Sequence, residues 1–286
     1  MSGNIPNSEE TSTAALPPST LAPLGLGLIS LDFDGTLVDS MHPSDHSVHP
    51  SLVRAIERLR AEGVVWVINT GRTLSGLKVG LDIAGLPFAP DYVITEETSL
   101  LAPCADHPEG WNALGDWNHE RDHAFRSLLA ESGHVFDEIR EFVTAHTQAE
   151  YLQRTDGLDE IVANSEAEME RICHRIEEVR HAHEAHPLGY QRNTVYLRFG
   201  HRGYQKGSTL TRLASYLEIP TQRIFAAGDN LNDLPMLDPE VAGYLACPGN
   251  SHPLVQETVR RHGGYLARSR TGEGLTEALR FFGFAG

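Results

Sequence analysis

Two aspartates spaced two residues apart are the side chains in this sequence best suited to chemistry. Asp32 and Asp34 follow the apolar run Leu28–Leu31, which reads as a buried β-strand. Side chains at positions i and i+2 of a strand share a face, so both carboxylates project from the strand end. Adjacent carboxylates favour a divalent cation, which relieves their repulsion and leaves one group free to attack an electrophile. Gly35 and Thr36 then turn the chain and free backbone N–H groups that can hold an anion.

Two segments further along the chain carry groups that could bind the same anion. The apolar run 64–68 reads as a second buried strand, and it leads into Thr70, Gly71 and Arg72 at a strand-to-helix turn. Lys206 stands just before an apolar-periodic helix. Taken singly, each has a simpler explanation, because Thr70 could be a helix N-cap, Arg72 a surface residue and Lys206 a solvated lysine.

A fourth segment adds two more aspartates. The pattern Gly228–Asp233 follows the segment 223–227, which reads as a third short strand. If the chain turns helical there, Asp229 and Asp233 lie one turn apart on one face. Asn232, between them, offers another polar contact. Asp233 could instead stabilise a helix N-terminus electrostatically.

In their order these four motifs resemble those of the haloacid-dehalogenase superfamily of phosphatases, which use an aspartate nucleophile. The pattern 228–233 is similar to that of the Cof-type and sucrose-phosphatase-like members, which act on sugar phosphates. The resemblance covers roughly residues 28 to 286. The second motif departs from the Ser-Gly-Arg often found there, although Thr70 keeps the hydroxyl that the position needs.

The resemblance implies a Mg²⁺-dependent phosphoric monoester hydrolase. Asp32 would attack phosphorus to form an aspartyl-phosphate, and Asp34 would protonate the leaving alkoxide and then deprotonate water. Mg²⁺ would be held by the side chains of Asp32 and Asp229 and by the backbone carbonyl of Asp34, while Asp233 would either ligate it or orient a bound water. The phosphate would be bound by residues of the other motifs, Thr70, Gly71, Lys206 and Asn232.

The second aspartate also bears on the type of reaction. A departing halide needs no proton, so Asp34 argues for phosphoryl transfer and against dehalogenation. The expected substrate is a small phosphorylated metabolite, with a sugar phosphate favoured on the resemblance alone. Two alternatives stay open, a phosphomutase of the same superfamily and a non-catalytic regulatory or carbohydrate-binding protein on the same fold.

Motif spacing predicts where a second domain lies. The first two motifs are 36 positions apart, which one helix and one strand nearly fill, whereas 134 positions separate the second motif from the third. We therefore expect a doubly wound, mainly parallel, Rossmann-like α/β core formed by residues 28–97 and 201–286. Residues 98–200 would form an inserted α+β cap, which the resemblance places over the active site as the element that selects the substrate.

Inside the insert, hydrophobic periodicity predicts three helices, 119–131, 135–146 and 165–183, and extended segments at 149–154 and 159–163. The alternating run Arg192–Phe199 predicts one strand that returns to the core. Arg192, Asn193 and Arg198, from that run, are candidates for contacts with the leaving group.

The amino-acid composition restricts which classes of partner and which cellular location we expect. The formal net charge of −16 argues against nucleic acid, which is bound through an excess of Lys and Arg. The three cysteines form no metal or disulfide pattern, which favours the cytoplasm. Residues 1–27 lack Lys and Arg and predict a disordered leader, with a targeting or docking segment as the alternative. No stretch approaches the ~20 apolar residues of a membrane span, and nothing predicts the oligomeric state.

Histidines are numerous but poorly spaced for a metal site. His183 and His186 are three positions apart, whereas the HExxH zinc motif needs four, so a solvated helix end is favoured. His42, His46 and His49 predict a polar loop, with a specificity contact as the alternative. The glycine-rich segments lack the order of nucleotide-binding loops, so no nucleotide cofactor is expected.

Overall fold

Two separate β-sheets organise the chain. The computed structural model describes residues 25–39, 46–154, 158–183 and 187–285. Most of the predicted leader, His42 and His186 lie outside these residues. Within them, eight strands form one sheet and four form another.

The larger sheet is mainly parallel. In sheet order its strands are Tyr265–Leu266 (β12), Tyr244–Cys247 (β11), Ile224–Ala227 (β10), Leu28–Leu31 (β1), Val65–Asn69 (β2), Tyr92–Thr95 (β3), Ser99–Pro103 (β4) and Trp111–Ala113 (β5). Neighbours from β12 to β3 run parallel, and β4 and β5 add an antiparallel edge. Because β1 lies between β10 and β2, the ends of the strands that precede three of the motifs are side by side.

Helices cover both faces of this sheet, which confirms the predicted doubly wound α/β fold. One face packs against α1 (Pro50–Ala61), α2 (Leu74–Ala84) and α8 (Thr271–Phe281). The other face packs against α6 (Lys206–Tyr216) and α7 (Pro253–Arg261). Strand β1 is buried on both sides, as its mainly apolar sequence predicts, with Ile29 and Leu31 in the first cluster and Leu28 in the second.

The smaller sheet and three helices form a third apolar cluster. The sheet is antiparallel in the order Glu150–Leu152 (β6), Glu160–Val162 (β7), Tyr196–His201 (β9) and Leu188–Asn193 (β8). Helices α3 (Trp117–Glu131), α4 (Gly133–His146) and α5 (Glu166–Ala182) pack with it through residues such as Leu128, Ile139 and Ile172. The chain enters this unit after β5 and leaves it for α6, as expected of a cap.

Three predicted elements differ from the structure. The insert was expected to start at residue 98, but residues 99–113 form β4 and β5 of the larger sheet. The single strand predicted over Arg192–Phe199 is wrong, because Thr194, with a φ of 49°, turns the chain and makes β8 and β9 a hairpin. The turn is only two residues long and contains neither Gly nor Pro, which hid it in the sequence. The fourth motif continues into a short 3₁₀ helix, Leu231–Met236, rather than an α-helix.

Across the described part of the chain, no helix combines the length and the apolar character that crossing a membrane requires.

Candidate active site

The carboxylates of the first and fourth motifs meet at the carboxyl ends of β1 and β10. The backbone N–H of Asp32 donates to the carbonyl of Ala227 at 3.0 Å, which fixes the first loop against the fourth. Asp32, Asp229 and Asp233 each place one carboxylate oxygen within 4.8 Å of the others, and all three side chains are buried. The predicted grouping of these three residues is therefore present in the structure.

Lys206 is fully buried in the same cluster. Its Nζ donates to Asp32 Oδ1 and to Asp233 Oδ1, both at 2.6 Å. As the first residue of α6, it reaches across to the ends of β1 and β10. The alternative of a solvated lysine at a helix start is wrong, since a buried ammonium is stable only where carboxylates pair with it.

Charge in this cluster is out of balance without a cation. When ionised, three carboxylates and one ammonium carry a net charge of −2. Burial raises the pKa of Asp32 well above its usual range, and Asp233 and Asp229 add to the effect against the opposing charge of Lys206. Burial and the neighbouring Asp233 raise the pKa of Asp229 to about 7. A hard divalent ion such as Mg²⁺ fits this donor set, because it prefers carboxylate oxygens and would neutralise the excess charge.

Asp233 uses both of its oxygens to order the site. Oδ2 accepts the backbone N–H groups of Asp229 and Asn230 at 2.8 and 2.9 Å, while Oδ1 holds Lys206. The bond from Asn230 also caps the 3₁₀ helix, so the helix-terminus explanation is correct in part. Gly228 is required here, because a Cβ at this position would lie 2.3 Å from the Asp233 carboxyl carbon. This arrangement favours an orienting role for Asp233 over direct metal ligation.

Two residues of the first loop hold Asp229. The hydroxyl of Thr36, fully buried, donates to Asp229 Oδ1 at 2.9 Å. Gly35 has a φ of 79°, and a Cβ there would lie 2.4 Å from Asp229 Oδ2. In the sequence these residues signalled only a turn, because a contact across 193 positions leaves no local pattern.

Thr70 faces the site rather than capping a helix. Its Oγ1 accepts the backbone N–H of Arg72 at 3.2 Å, which leaves the hydroxyl proton free to donate. The N-cap of α2 is Thr73, whose hydroxyl accepts from Gly76, so the capping explanation for Thr70 is wrong. Thr70 and Gly71 both line the cavity above Asp32.

Arg72 is bound to Asp34 and is not a free surface residue. Its Nε and Nη2 donate to the two carboxylate oxygens of Asp34, each at 2.6 Å, and its guanidinium stacks over Phe33. A paired fork of this kind gives a strong, directional ion pair. The structure therefore brings Asp34 to the cavity with both oxygens engaged, a contact that sequence reasoning missed.

Glu97 is a further acidic residue of the site that sequence reasoning missed. It follows β3, is 4 % exposed and lines the cavity with Asp32 and Thr70. Its Oε1 accepts from Asn232 Nδ2 at 3.0 Å. Burial raises the pKa of Glu97 against the opposing charges of Lys206 and Arg198. Its position two residues after the end of β3, which neighbours β2, was the available signal.

The cavity above Asp32 lies between the core and the inserted unit and has a volume of about 230 Å³. The hairpin β8–β9 supplies one wall of it through polar and charged side chains, which are Gln191, Arg192, Asn193, Tyr196 and Arg198. Arg192 is also held by Glu170 at 2.8 Å, and Arg198 donates to the carbonyl of Glu96 at 3.1 Å. All three residues expected near the leaving group therefore reach the cavity.

None of the described histidine and cysteine side chains belongs to this carboxylate cluster. His49 caps α1 by accepting from Ser51, and His183 contacts Glu138 at 3.2 Å. Within the described ranges, Asp32, Asp229 and Asp233 form the one group of His, Cys, Asp and Glu side chains close enough to share an ion. Cys104, Cys173 and Cys247 are free thiols.

Known proteins share both the sequence pattern and the fold. The profile of the Sucrose-6F-phosphate phosphohydrolase family matches residues 26–283. A putative phosphatase of Bacillus subtilis, YxeH, is 25% identical over 270 residues, which cover 88% of this chain and 96% of the relative. A phosphoglycolate phosphatase of Methanothrix thermoacetophila is 41% identical over 85 residues, which are 30% of this chain and only 36% of that protein. A match of 92 residues spans 12% of a glucosylglycerol-phosphate synthase from Pseudomonas anguilliseptica.

Solved structures agree with the fold. The sucrose-phosphatase of Synechocystis sp. PCC6803, in complex with sucrose and phosphate, superposes with a TM-score of 0.66 at 16% identity and covers 91% of this chain and 98% of its own. A haloalkanoate-superfamily phosphatase from Bacteroides thetaiotaomicron gives a TM-score of 0.58 at 21% identity, over 96% of this chain and 100% of its own. With four motifs, two sheets and the family profile in agreement over nearly its whole length, the chain belongs to the Sucrose-6F-phosphate phosphohydrolase family, within the haloacid-dehalogenase superfamily of phosphatases.

Proposed function

We propose that this protein hydrolyses a small phosphomonoester, a sugar phosphate, with Mg²⁺ and through an aspartyl-phosphate on Asp32. The observation that carries the proposal is the pairing of Asp32 with the fully buried Lys206, 2.6 Å away, beneath a cavity lined by Thr70 and Gly71. In this arrangement the proposed nucleophile lies beside fixed donors for an anion. Phosphoryl transfer needs both, because its catalysis rests on positioning and charge stabilisation.

The residues present fit Mg²⁺. The carboxylates of Asp32 and Asp229, with the backbone carbonyl of Asp34, would bind the ion. Asp233 would act indirectly, by ordering the loop that carries Asp229. When bound, Mg²⁺ would neutralise charge on the phosphoryl oxygens and on the carboxylate cluster.

The reaction would take place in two displacements at phosphorus, first by Asp32 and then by water, with Asp34 transferring the proton in each. An oxygen of Asp32 forms a bond to phosphorus as the bond to the ester oxygen breaks, and Asp34 supplies the proton to that oxygen. Asp34 then takes a proton from the water that attacks phosphorus, and the carboxylate of Asp32 is regenerated. Each oxygen of Asp34 accepts one hydrogen bond from Arg72 and keeps a second lone pair, on which the proton would be carried.

Fixed hydrogen-bond donors would stabilise the negative charge on the phosphoryl group as it is transferred. The Lys206 ammonium is held within 2.6 Å of the nucleophile, and the Thr70 hydroxyl and the Gly71 N–H line the same cavity. Asn232 adds an amide N–H from the fourth motif. Such preorganised donors stabilise developing negative charge without having to reorient.

The side chains on the cap side of the cavity favour a leaving group that carries several hydroxyl groups. The side chains there are amides, a phenol and guanidinium groups, which pair with hydroxyl groups rather than with an apolar body. The family profile carries the name of a sugar-phosphate phosphohydrolase, and the Synechocystis relative binds sucrose. The three free thiols support a reducing, cytoplasmic location, and the net charge of −16 supports the absence of nucleic acid among the partners.

The proposal is tested by measuring phosphate release from a panel of sugar phosphates and other small phosphomonoesters, with Mg²⁺ and with EDTA. We expect turnover that requires Mg²⁺ and is fastest with sugar phosphates. Fastest turnover of an aryl or acyl phosphate would contradict the substrate class. Absence of release from every ester by folded, Mg²⁺-loaded protein would contradict the activity.

Mg²⁺ should also stabilise the protein, and more strongly at higher pH. The pKa of Asp229 is raised to about 7, above its unfolded value near 3.8. Protonation of Asp229 therefore stabilises the folded protein fully below pH 4, and this contribution is lost as the pH rises through 7. Above that pH, Mg²⁺ can take the place of the proton. At a Mg²⁺ concentration of about 100 times Kd we expect a gain of about 2.7 kcal/mol in the free energy of unfolding.

Thermal unfolding at pH 6 and pH 8, with and without Mg²⁺, checks this expectation. The increase in Tm should be larger at pH 8 and should be lost in Asp229→Asn. Equal increases at the two pH values, or an increase retained in Asp229→Asn, would show that this cluster does not hold the ion.

A further inference from the structure

The turn that carries Glu97 is strained and ends inside the active site. Glu96 and Glu97 have φ angles of 51° and 66°, in the left-handed region that glutamate rarely adopts. Two such residues in succession are strained, because the Cβ crowds the backbone in this region. Strain of this kind persists only where the surroundings hold the backbone in place.

The surroundings hold this turn from several sides. The N–H groups of Glu96 and Glu97 donate to the carbonyls of Arg72 and Thr70, at 2.8 and 2.9 Å, in the second motif. The hydroxyl of Thr209, from α6, shares its proton between the carbonyls of Glu97 and Gln205, at 3.2 and 2.9 Å. Arg198 of the cap hairpin donates to the carbonyl of Glu96. Four contacts from the core and the cap therefore set the position of one buried carboxylate.

That carboxylate determines how Asn232 is oriented. An ionised carboxylate accepts hydrogen bonds and cannot donate them, so the contact of 3.0 Å between Glu97 Oε1 and Asn232 must be made by the amide nitrogen. One N–H of Asn232 is used by Glu97, and the second remains for the cavity that both residues line. If the amide were reversed, its carbonyl oxygen would face the phosphate and repel it.

We propose that Glu97 is a positioning residue that orients the Asn232 amide so that its free N–H donates to the transferring phosphoryl group. This inference rests on the proposed function, and it assigns a role to a residue outside the four motifs. A negative charge beside an anion-binding site would by itself weaken phosphate binding. Its burial there, in a strained turn, is explained by the donor that it fixes. No hydrogen-bond donor among the described residues reaches its second oxygen, Oε2, so Asn232 is its hydrogen-bond partner.

The variant Glu97→Gln tests the orientation, because glutamine has nearly the same shape but can donate as well as accept. The Asn232 amide is then free to reverse. We expect kcat/KM for the best phosphomonoester, and the affinity for inorganic phosphate, to fall about 10- to 100-fold, as for loss of a hydrogen bond to a charged group. In an Asn232→Ala background the same replacement should change either quantity less than about twofold, since coupled residues are not additive.

A matched control and a stability measurement separate positioning from folding. Glu96→Gln alters the exposed neighbour on the same strained turn and should leave both quantities unchanged. Because burial raises the pKa of Glu97, the neutral Glu97→Gln should unfold at a Tm no lower than that of the wild type at pH 8. A fall in activity with unchanged or higher Tm supports the proposal.

Three results would overturn it. They are an unchanged phosphate affinity in Glu97→Gln, a loss of the same size in the Asn232→Ala background, and a loss matched by a lower Tm. Calorimetric binding of inorganic phosphate needs no turnover, so it tests the role of Glu97 even if the wild type hydrolyses none of the esters. Failure of the proposed activity and failure of this inference are therefore distinguishable.

Discussion

Replacing Lys206 with methionine is expected to reduce phosphate release about 10²- to 10³-fold, the effect of removing one fixed donor from a developing oxyanion. The same change should destabilise the protein by about 3–5 kcal/mol, because it leaves buried carboxylates without their partner. Both carboxylates concerned, Asp32 and Asp233, lie 2.6 Å from Nζ, and Lys206 is fully buried. Burial alone lowers the pKa of Lys206, but Asp233 and Asp32 outweigh it and raise the pKa, so the ammonium is charged throughout the working pH range.

Urea unfolding and steady-state kinetics measure the two effects. Lys78 is the other lysine of the chain, and its exposed ammonium donates to the carbonyl of Glu109, so Lys78→Met is the matched control and should change neither quantity. Equal behaviour of Lys206→Met and Lys78→Met would show that the buried ammonium does not bind the phosphoryl group or stabilise the cluster.

Replacing Gly35 with alanine should have the second large effect, by displacing Asp229. The added Cβ would lie 2.4 Å from Asp229 Oδ2, so either the loop or the carboxylate must move by about an ångström. A displacement of that size costs about 10²-fold in rate. We expect kcat/KM to fall by about that factor and the Mg²⁺ concentration for half-maximal activity to rise, because Asp229 is a proposed metal ligand.

Gly63→Ala separates the clash from the backbone strain. Gly63 has a φ of 87°, similar to that of Gly35, but a Cβ there would meet no atom within 4 Å. Both variants incur the left-handed penalty of about 1–2 kcal/mol, and only Gly35→Ala moves a ligand. If Gly63→Ala raised the Mg²⁺ concentration for half-maximal activity as much as Gly35→Ala, the assignment of Asp229 would be contradicted.

The parts of the site that lie at strand ends could be predicted from the sequence. Asp32 and Asp229 each follow a short, mainly apolar run, and such runs form the central parallel strands β1 and β10. Because those strands are neighbours, the two carboxylates meet. Lys206 could be predicted as a site residue only from its place in the series of four motifs. Nothing in its local sequence distinguishes a buried lysine from a solvated one.

What the sequence did not show depends on contacts between distant segments. Arg72 reaches Asp34 across 38 positions, and Thr36 reaches Asp229 across 193. Glu97 lies in the site because a strained turn is held by bonds from other loops, which no periodicity reveals. The antiparallel edge strands β4 and β5 are only 5 and 3 residues long, too short for a clear alternation, so the insert was predicted to start too early.

The central claim is that Asp32 is the nucleophile of a Mg²⁺-dependent phosphatase. The most direct measurement compares phosphate release by the wild type and by Asp32→Asn on the best ester of the panel, with Mg²⁺ present and with acid-quenched protein examined for a phosphorylated Asp32 peptide. We predict a fall of at least about 10⁴-fold in the variant, as for removal of a nucleophile, and a phosphoryl group on Asp32 in the wild type alone. Release by Asp32→Asn at a rate near that of the wild type would contradict the claim.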